Sequence, residues 1–253
     1  MSSNAPLYSR TDTETLEPAL SAKHAPAYTQ RELDEAYTVL RHSGLILIKL
    51  DIGYGLIGHS AESIRRMYKL KGRSETNSCV VPGNVAVLRS LCPGIRPSVL
   101  DWTCAQAKWT TLSVIDNLDS QSPFWLSLPA LARHYCSRNG SVAVFLKAGE
   151  FMEALVERAL MDRKLLTGSS GNLSGHGNCF RPEDLPRSLI EGVDLFIDHG
   201  ASRYENPERR ATTMIDLRTL QITRRGVNHQ QLEAELRELR AHLNGGTDGY
   251  DGR

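Results

Sequence analysis

The sequence predicts an α+β (mixed α/β) fold, a twisted mixed β-sheet flanked by helices. Three observations lead there. Short apolar, β-branched runs such as residues 45–50 alternate with segments whose apolar residues recur at helical spacing. The chain has 253 residues and is 40% hydrophobic, enough for one large core. No segment repeats another, so a solenoid or propeller is excluded.

The elements follow in order. Residues 1–28 are polar, Pro-containing and aperiodic, and are expected to be a mobile tail. Thr29-Gln30-Arg31-Glu32 reads as a capping box, opening a helix with Leu33, Ala36, Tyr37 and Leu40 on one face and Gly44 as its stop. Residues 45–50 read as a strand buried on both faces. A Gly-rich turn is expected at Gly53-Tyr54-Gly55. Ser60 is placed to cap a helix through Leu70, which ends in the cations Lys69, Lys71 and Arg73.

Further along, a short strand is expected at 85–88, a strand at 110–115 and a helix at 128–137. Asn139-Gly140 is a turn signal before a strand at 142–146. A helix follows at 151–160, then a small-residue loop at 168–175 and a strand at 193–197. Residues 213–217 and 220–223 read as a hairpin around Arg218-Thr219. Leu232, Leu236, Leu239 and Leu243 mark a last amphipathic helix, and GGTDGYDGR a frayed end. The organisation is thus a tail (1–28), a core domain (29–228) and a C-terminal helix with its tail (229–253).

Composition narrows the function. The net charge of +1 argues against a partner held by bulk charge, although not against a local basic groove. No long apolar run or secretory leader is expected, so the chain reads as soluble and without membrane contact. The five cysteines are widely spaced with no C-x-x-C pair, which fits a reduced, cytoplasmic setting. His176 and Cys179, like His134 and Cys136, lack a second ligand pair at zinc spacing, so no metal site is expected.

Four motifs bear chemistry. Gly53, Gly55 and Gly58 form G-x-G-x-x-G after a strand, but the helix begins at Ser60 and no ribose-binding acid follows the next strand, which counts against a dinucleotide fold. Lys71-Gly72-Arg73 places two cations at a turn, where they can converge on a polyphosphate. Ser169–Gly175, SSGNLSG, offers amides and hydroxyls for an anion nest. Thr212-Thr213-Met214-Ile215-Asp216 and Thr223-Arg224-Arg225-Gly226 can close over phosphates. Alone, each is an ordinary turn, loop or hairpin. No Walker A motif occurs, so an ATP site must be of another kind.

In this order the motifs resemble the YrdC/YciO family, which includes the threonylcarbamoyl-AMP synthases. The resemblance covers residues 31–228. The family's P-T-D-T-V-Y-G-L reads here as Lys49-Leu50-Asp51-Ile52-Gly53-Tyr54-Gly55-Leu56, its K-x-R-P as Lys71-Gly72-Arg73-Ser74, and its T-S-A-N-x-S-G as Ser169-Ser170-Gly171-Asn172-Leu173-Ser174-Gly175. Its S-T-V-V-D reads Thr212-Thr213-Met214-Ile215-Asp216, and its L-R-P-G reads Thr223-Arg224-Arg225-Gly226. The resemblance implies a YrdC-like fold and three substrates: ATP with Mg2+, bicarbonate, and an amine or amino acid. They would yield a carbamoyl-adenylate and pyrophosphate. It implies that Lys71, Arg73, Ser170, Asn172, Thr213 and Arg224 contact ATP. Tyr54, with Leu50, Asp51, Ile52 and Phe145, would border the amine pocket, and Lys71, Arg73 and Tyr54 would serve catalysis.

The departures lie on the amine side. Leu50 and Ile52 replace two family threonines, Phe145 stands where an arginine is expected, and P-G-P-[LV]-T survives at most as Thr110-Thr111-Leu112. The expectation is an adenylating enzyme with an altered amine, or a threonylcarbamoyl-AMP synthase in tRNA modification. The alternative is a non-catalytic module binding a nucleotide or double-stranded RNA. Carbamoyl transfer from carbamoyl phosphate is a lesser third.

Overall fold

A computed structural model describes residues 28–245. The expected tail (1–28) falls outside that range except for Tyr28, and the expected frayed end lies outside it beyond Gly245. The strands are β1 (Ile46–Leu50), β2 (Gly53–Gly58), β3 (Val81–Pro82), β4 (Leu112–Asn117), β5 (Ser137–Arg138), β6 (Ser141–Leu146), β7 (Thr167–Ser170), β8 (Leu195–Ile197), β9 (Thr213–Asp216) and β10 (Gln221–Arg224). The helices are α1 (Gln30–Arg41), α2 (Ala61–Lys71), α3 (Val85–Leu91), α4 (Pro97–Trp109), α5 (Pro123–Leu126), α6 (Ala130–Cys136), α7 (Glu150–Met161), α8 (Arg187–Glu191) and α9 (His229–Gly245).

The strands form two mixed sheets. One has four strands in the order β7-β2-β1-β8. The other runs β10-β9-β4-β6-β3, with β5 added on β6. Val80 and Gly168 join the two through a bridge, each amide donating to the other's carbonyl at 3.0 and 2.9 Å. The mixed α/β class is as expected, and the single sheet divides here because Val80 and Gly168 pair as one isolated bridge.

Helices cover the sheets as their patterns require. Thr29 caps α1 through the reciprocal box with Glu32, and Leu33, Ala36, Tyr37 and Leu40 are buried against β1 and α7. Each such leucine, fully buried, contributes about 1.5–3 kcal/mol. Ser60 caps α2, whose Ile64, Met67 and Tyr68 face the core. On α9, Leu232, Leu236 and Leu239 are buried, and the helix packs on α4 and β10.

Several local expectations change. Gly53–Gly58 is a strand, antiparallel to β1 with Leu50 opposite Gly53, and the chain reverses at Asp51-Ile52. Its glycines serve close approach: a Cβ on Gly55 would lie 2.6 Å from Leu50 Cδ1, and one on Gly58 2.6 Å from Ser63 Oγ. Residues 85–88 are helical, because Asn84 Oδ1 accepts from Val87 N (3.0 Å) and starts α3; the strand is the preceding Val81–Pro82. Helix α1 ends at His42 with Ser43 at φ 67°, not at Gly44, whose bare Cα is needed beside Val39. The loop expected at 168–175 is a strand as far as Ser170, paired to β2. No sequence pattern predicts helices α4, α5 and α8.

Candidate active site

A cleft of about 140 Å³ lies between the two sheets. Gly55 and Ile57 of β2 and Gly168, Ser169 and Ser170 of β7 supply one wall. Ser113, Phe145, Thr212, Met214 and Arg224 supply the other, and Arg73 reaches in from beyond α2. A second recess of about 470 Å³ adjoins it, sharing Arg73, Ser78, Val80 and Met214 and adding Arg138 and Arg218.

The polar part of the lining is built around two arginines. Gly72 takes the left-handed conformation that closes α2 (φ 56°), and Arg73 then leaves the helix. Its Nε donates to Asn77 O (3.2 Å) and its Nη2 to Ser78 O (2.7 Å). Arg224 ends β10 and donates from Nε to Thr212 O (3.0 Å) and from Nη2 to Thr212 Oγ1 (2.8 Å). Among the described residues neither guanidinium pairs with a carboxylate. Partial burial, and then the charge of Arg73, lower the pKa of Arg224. Two like charges oriented by neutral acceptors and lacking an acid suit an anion. Thr212 Oγ1 and Ser113 Oγ (3.1 Å apart) add hydroxyls to the same lining.

Leu50, Ile52, Ile57, Val80, Pro82 and Phe145 add apolar surface to the same lining, with Phe145 opposite Ser113 on the neighbouring strand. Asn178 also lines the cleft and donates to Ile52 O (2.8 Å). Leu50 and Ile52 thus line the cleft from one sheet, and Phe145 lines it from the other.

Of the expected site residues, Leu50, Ile52, Tyr54, Arg73, Phe145, Ser170 and Arg224 line the cleft; Lys71, Asn172, Thr213 and Asp51 do not. Lys71 turns inward and is 2% exposed. Its ammonium donates to the carbonyl oxygens of Ser170 and Asn172, tying the end of α2 to the β7 loop. Burial, and then Arg73, push its pKa down to about 7. Asn172 Nδ2 donates to Leu173 O (2.8 Å) and His176 O (2.5 Å), folding the same loop. Thr213 donates to Val227 O (2.7 Å) and accepts from Gly226 N (3.1 Å); the cleft-facing hydroxyl is Thr212, one residue earlier. Strand alternation explains the difference.

Tyr54 borders the cleft, yet its ring lies on the other face of its sheet. It sits against Phe196 (5.8 Å between centroids) with Lys49 Nζ 4.3 Å from its centre. Its hydroxyl is buried without a hydrogen-bond partner, and burial raises its pKa. Lys49 is itself buried, donates to Phe180 O, and has its pKa lowered by burial. Asp51 lies in a separate recess with Lys147, His199 and Arg203, where burial raises its pKa against the pull of Arg203 and Lys147. Sequence reasoning did not single out Ser78, Ser113 or Asn178. Their contributions depend on which strands meet, which no local pattern encodes.

Among the described residues no carboxylate lines the cleft, so its lining presents no carboxylate ligand for Mg2+. Among the described residues no group of three or more His, Cys, Asp or Glu is placed to hold a metal, and no helix is long and apolar enough to cross a membrane.

The fold and cleft define a mixed α/β protein whose two sheets enclose a cleft lined by Arg73 and Arg224. The family model Sua5_yciO_yrdC, described as telomere recombination, matches residues 38–226, and the chain belongs to that family. No curated protein is matched by the sequence. Among solved structures, P. abyssi Sua5 complexed with L-threonine is similar at TM-score 0.65 and 20% identity, covering 82% of this chain and 58% of that one. The hypothetical protein smu.1377c from Streptococcus mutans UA159 is similar at TM-score 0.68 and 17% identity, covering 81% and 90%. Full-length HypF in its phosphate- and nucleotide-bound form is similar at TM-score 0.52 and 15% identity, covering 73% and 27%. The chain thus spans little more than half of Sua5 and a smaller part of HypF. At these identities the likeness is one of fold.

Proposed function

We propose that this chain binds Mg-ATP between its two sheets and makes a carbamoyl-adenylate from bicarbonate and an amine or amino acid. The observation that carries this reading is the pair Arg73 and Arg224, which no carboxylate among the described residues neutralises, lining one cleft with Thr212 and Ser113 beside the apolar side chains of Leu50, Ile52 and Phe145. Family membership supports it, as do the nucleotide and phosphate in HypF and the L-threonine in Sua5.

The reaction needs fixed positive charge and no covalent enzyme intermediate. The amine nitrogen bonds to the carbon of bicarbonate, water leaves, and a carbamate results. A carbamate oxygen then attacks the α-phosphorus of ATP, and the bond to pyrophosphate breaks. Negative charge gathers on the phosphate oxygens, where Arg73 and Arg224 stabilise it and Thr212, Ser113 and Ser170 donate hydrogen bonds. Lys71 acts at one remove, holding the 170–172 segment in place. The apolar side chains of Leu50, Ile52 and Phe145, on the two sides of the cleft, disfavour a threonine hydroxyl and favour an amine with an apolar substituent.

A second reading is a module that binds a nucleotide or double-stranded RNA without turnover. The engagement of Lys71 by two carbonyls favours it, because that cation is then withdrawn from the phosphates. Calorimetry of Mg-ATP tests the site. Loss of a charge-assisted contact at about 1.5–3 kcal/mol corresponds to binding weakened about 10- to 100-fold in Arg73→Ala and Arg224→Ala. Unchanged affinity in both variants removes the cleft as the ATP site.

A further inference from the structure

We propose that Cys79 and Cys136 are a redox-modification site beside Arg73: a dithiol that a hydroperoxide converts into an intramolecular disulfide. The two residues are 57 positions apart in sequence, yet the fold sets them together. The amide of Cys79 donates to Tyr135 O at 2.8 Å, tying the two segments at the neighbouring residue. The two thiols act on one another electrostatically, Cys79 being shifted down and Cys136 up. Cys79 Sγ also lies 3.5 Å from Tyr68 Oη and 3.8 Å from Met67 Sδ. Both cysteines line the recess that adjoins the cleft, although each is buried within the fold.

The pair is asymmetric. The Cys136 thiol, and then the charges of Arg73 and Lys71, hold the Cys79 thiol below its ordinary value against its burial. Cys136 is held well above its ordinary value by Cys79 and by burial. Arg73, whose guanidinium is held at the Ser78 carbonyl immediately before Cys79, makes Cys79 the nucleophile and Cys136 the resolving thiol. The Cys79 thiolate attacks the terminal peroxide oxygen, the O–O bond breaks, and an alcohol leaves with Cys79 as sulfenic acid. Cys136 sulfur then attacks Cys79 sulfur, the S–O bond breaks, and water leaves as the S–S bond forms. Two electrons pass from the two thiols to the peroxide.

The site touches the cleft through Arg73. The Arg73 guanidinium is held by the carbonyls of Asn77 and Ser78, immediately before Cys79. Tyr68 Oη donates to the same Asn77 carbonyl (2.6 Å) and contacts Cys79 Sγ. Disulfide formation removes the thiolate beside Arg73 and draws Cys79 away from Tyr68, which alters anion binding at Arg73. This last step rests on the reading of the cleft as a nucleotide site; the disulfide itself does not.

The test is a peptide map of the full chain after hydrogen peroxide and alkylation of remaining thiols. The expected result is one reducible link joining Cys79 to Cys136, with Cys92, Cys104 and Cys179 alkylated as internal controls. Cys136→Ser should then trap Cys79 as a dimedone-reactive sulfenic acid. Full alkylation of Cys79 and Cys136 after oxidant, or a link to any other cysteine, overturns the proposal in the wild-type chain, whatever the variant does. Calorimetry of Mg-ATP on the reduced and linked forms separates the two ideas. A difference of threefold or more supports the coupling, and equal affinities overturn it. A linked chain that binds no ATP in either state refutes the cleft assignment and leaves the dithiol standing.

Discussion

Replacing Lys71 with methionine tests the tether between α2 and the β7 loop. The folded chain holds this amine at a pKa of about 7 against a reference value of 10.5, through burial and then the charge of Arg73. Between those values the unfolded chain binds one more proton than the folded one. The contribution is therefore fully present above about pH 10.5 and is lost as pH falls through the folded value near 7. At about 1.36 kcal/mol per unit, the whole window is worth about 5 kcal/mol, and the rise from about pH 7.5 to about pH 9.5 about 2 kcal/mol. The neutral amine keeps two N–H donors for the carbonyls of Ser170 and Asn172, so the tether survives deprotonation. Lys71→Met removes both donors, which costs about 1–3 kcal/mol for each carbonyl left unpaired. The assay is urea unfolding across that pH range under reducing conditions. Wild type should gain about 2 kcal/mol relative to Lys71→Met as pH rises. Parallel pH profiles for the two proteins would refute a buried, depressed Lys71.

Other outcomes follow from the same geometry. Thr212→Ala should weaken Mg-ATP binding about 5- to 10-fold, read by calorimetry, because Arg224 loses an acceptor and the cleft loses a hydroxyl. Thr213→Ala should instead lower unfolding free energy by about 1–2 kcal/mol, since its bonds to Val227 and Gly226 close the turn after β10. Equal effects of the two changes on binding would contradict the assigned strand faces. Restoring Leu50→Thr together with Ile52→Thr should raise threonine-dependent pyrophosphate release. No rise would mean that Phe145, on the other sheet, sets amine choice by itself.

What the sequence made legible is what local chemistry decides. Thr29 and Ser60 announce their helices because a capping hydroxyl needs only its own turn, and residues 45–50 announce a strand by uninterrupted burial. The motif order was enough to place Arg73, Arg224, Leu50, Ile52 and Phe145 around one cleft. The failures are tertiary. Gly53, Gly55 and Gly58 look like a turn, but they are glycines because Leu50, Ser63 and Cys179 crowd them. The run Val85-Ala86-Val87-Leu88 has strand composition, and the Asn84 cap and core contacts override it. Helix α4 opens with Pro97 at its first turn, a usable signal, but its weak amphipathic pattern concealed it. Lys71 and Arg73 were paired as phosphate ligands, whereas the left-handed Gly72 between them sends one inward and the other to the cleft. Thr212 and Thr213 differ by one step of strand alternation, which a motif cannot resolve.

The most direct measurement is pyrophosphate release from Mg-ATP and bicarbonate across a panel of amino acids and simple amines, with apolar and hydroxylated members matched in size. The account predicts bicarbonate-dependent release with an apolar amine or amino acid, lost in Arg73→Ala and Arg224→Ala. ATP binding without release for any amine would contradict it and leave a nucleotide-binding module whose apolar lining marks a lost activity.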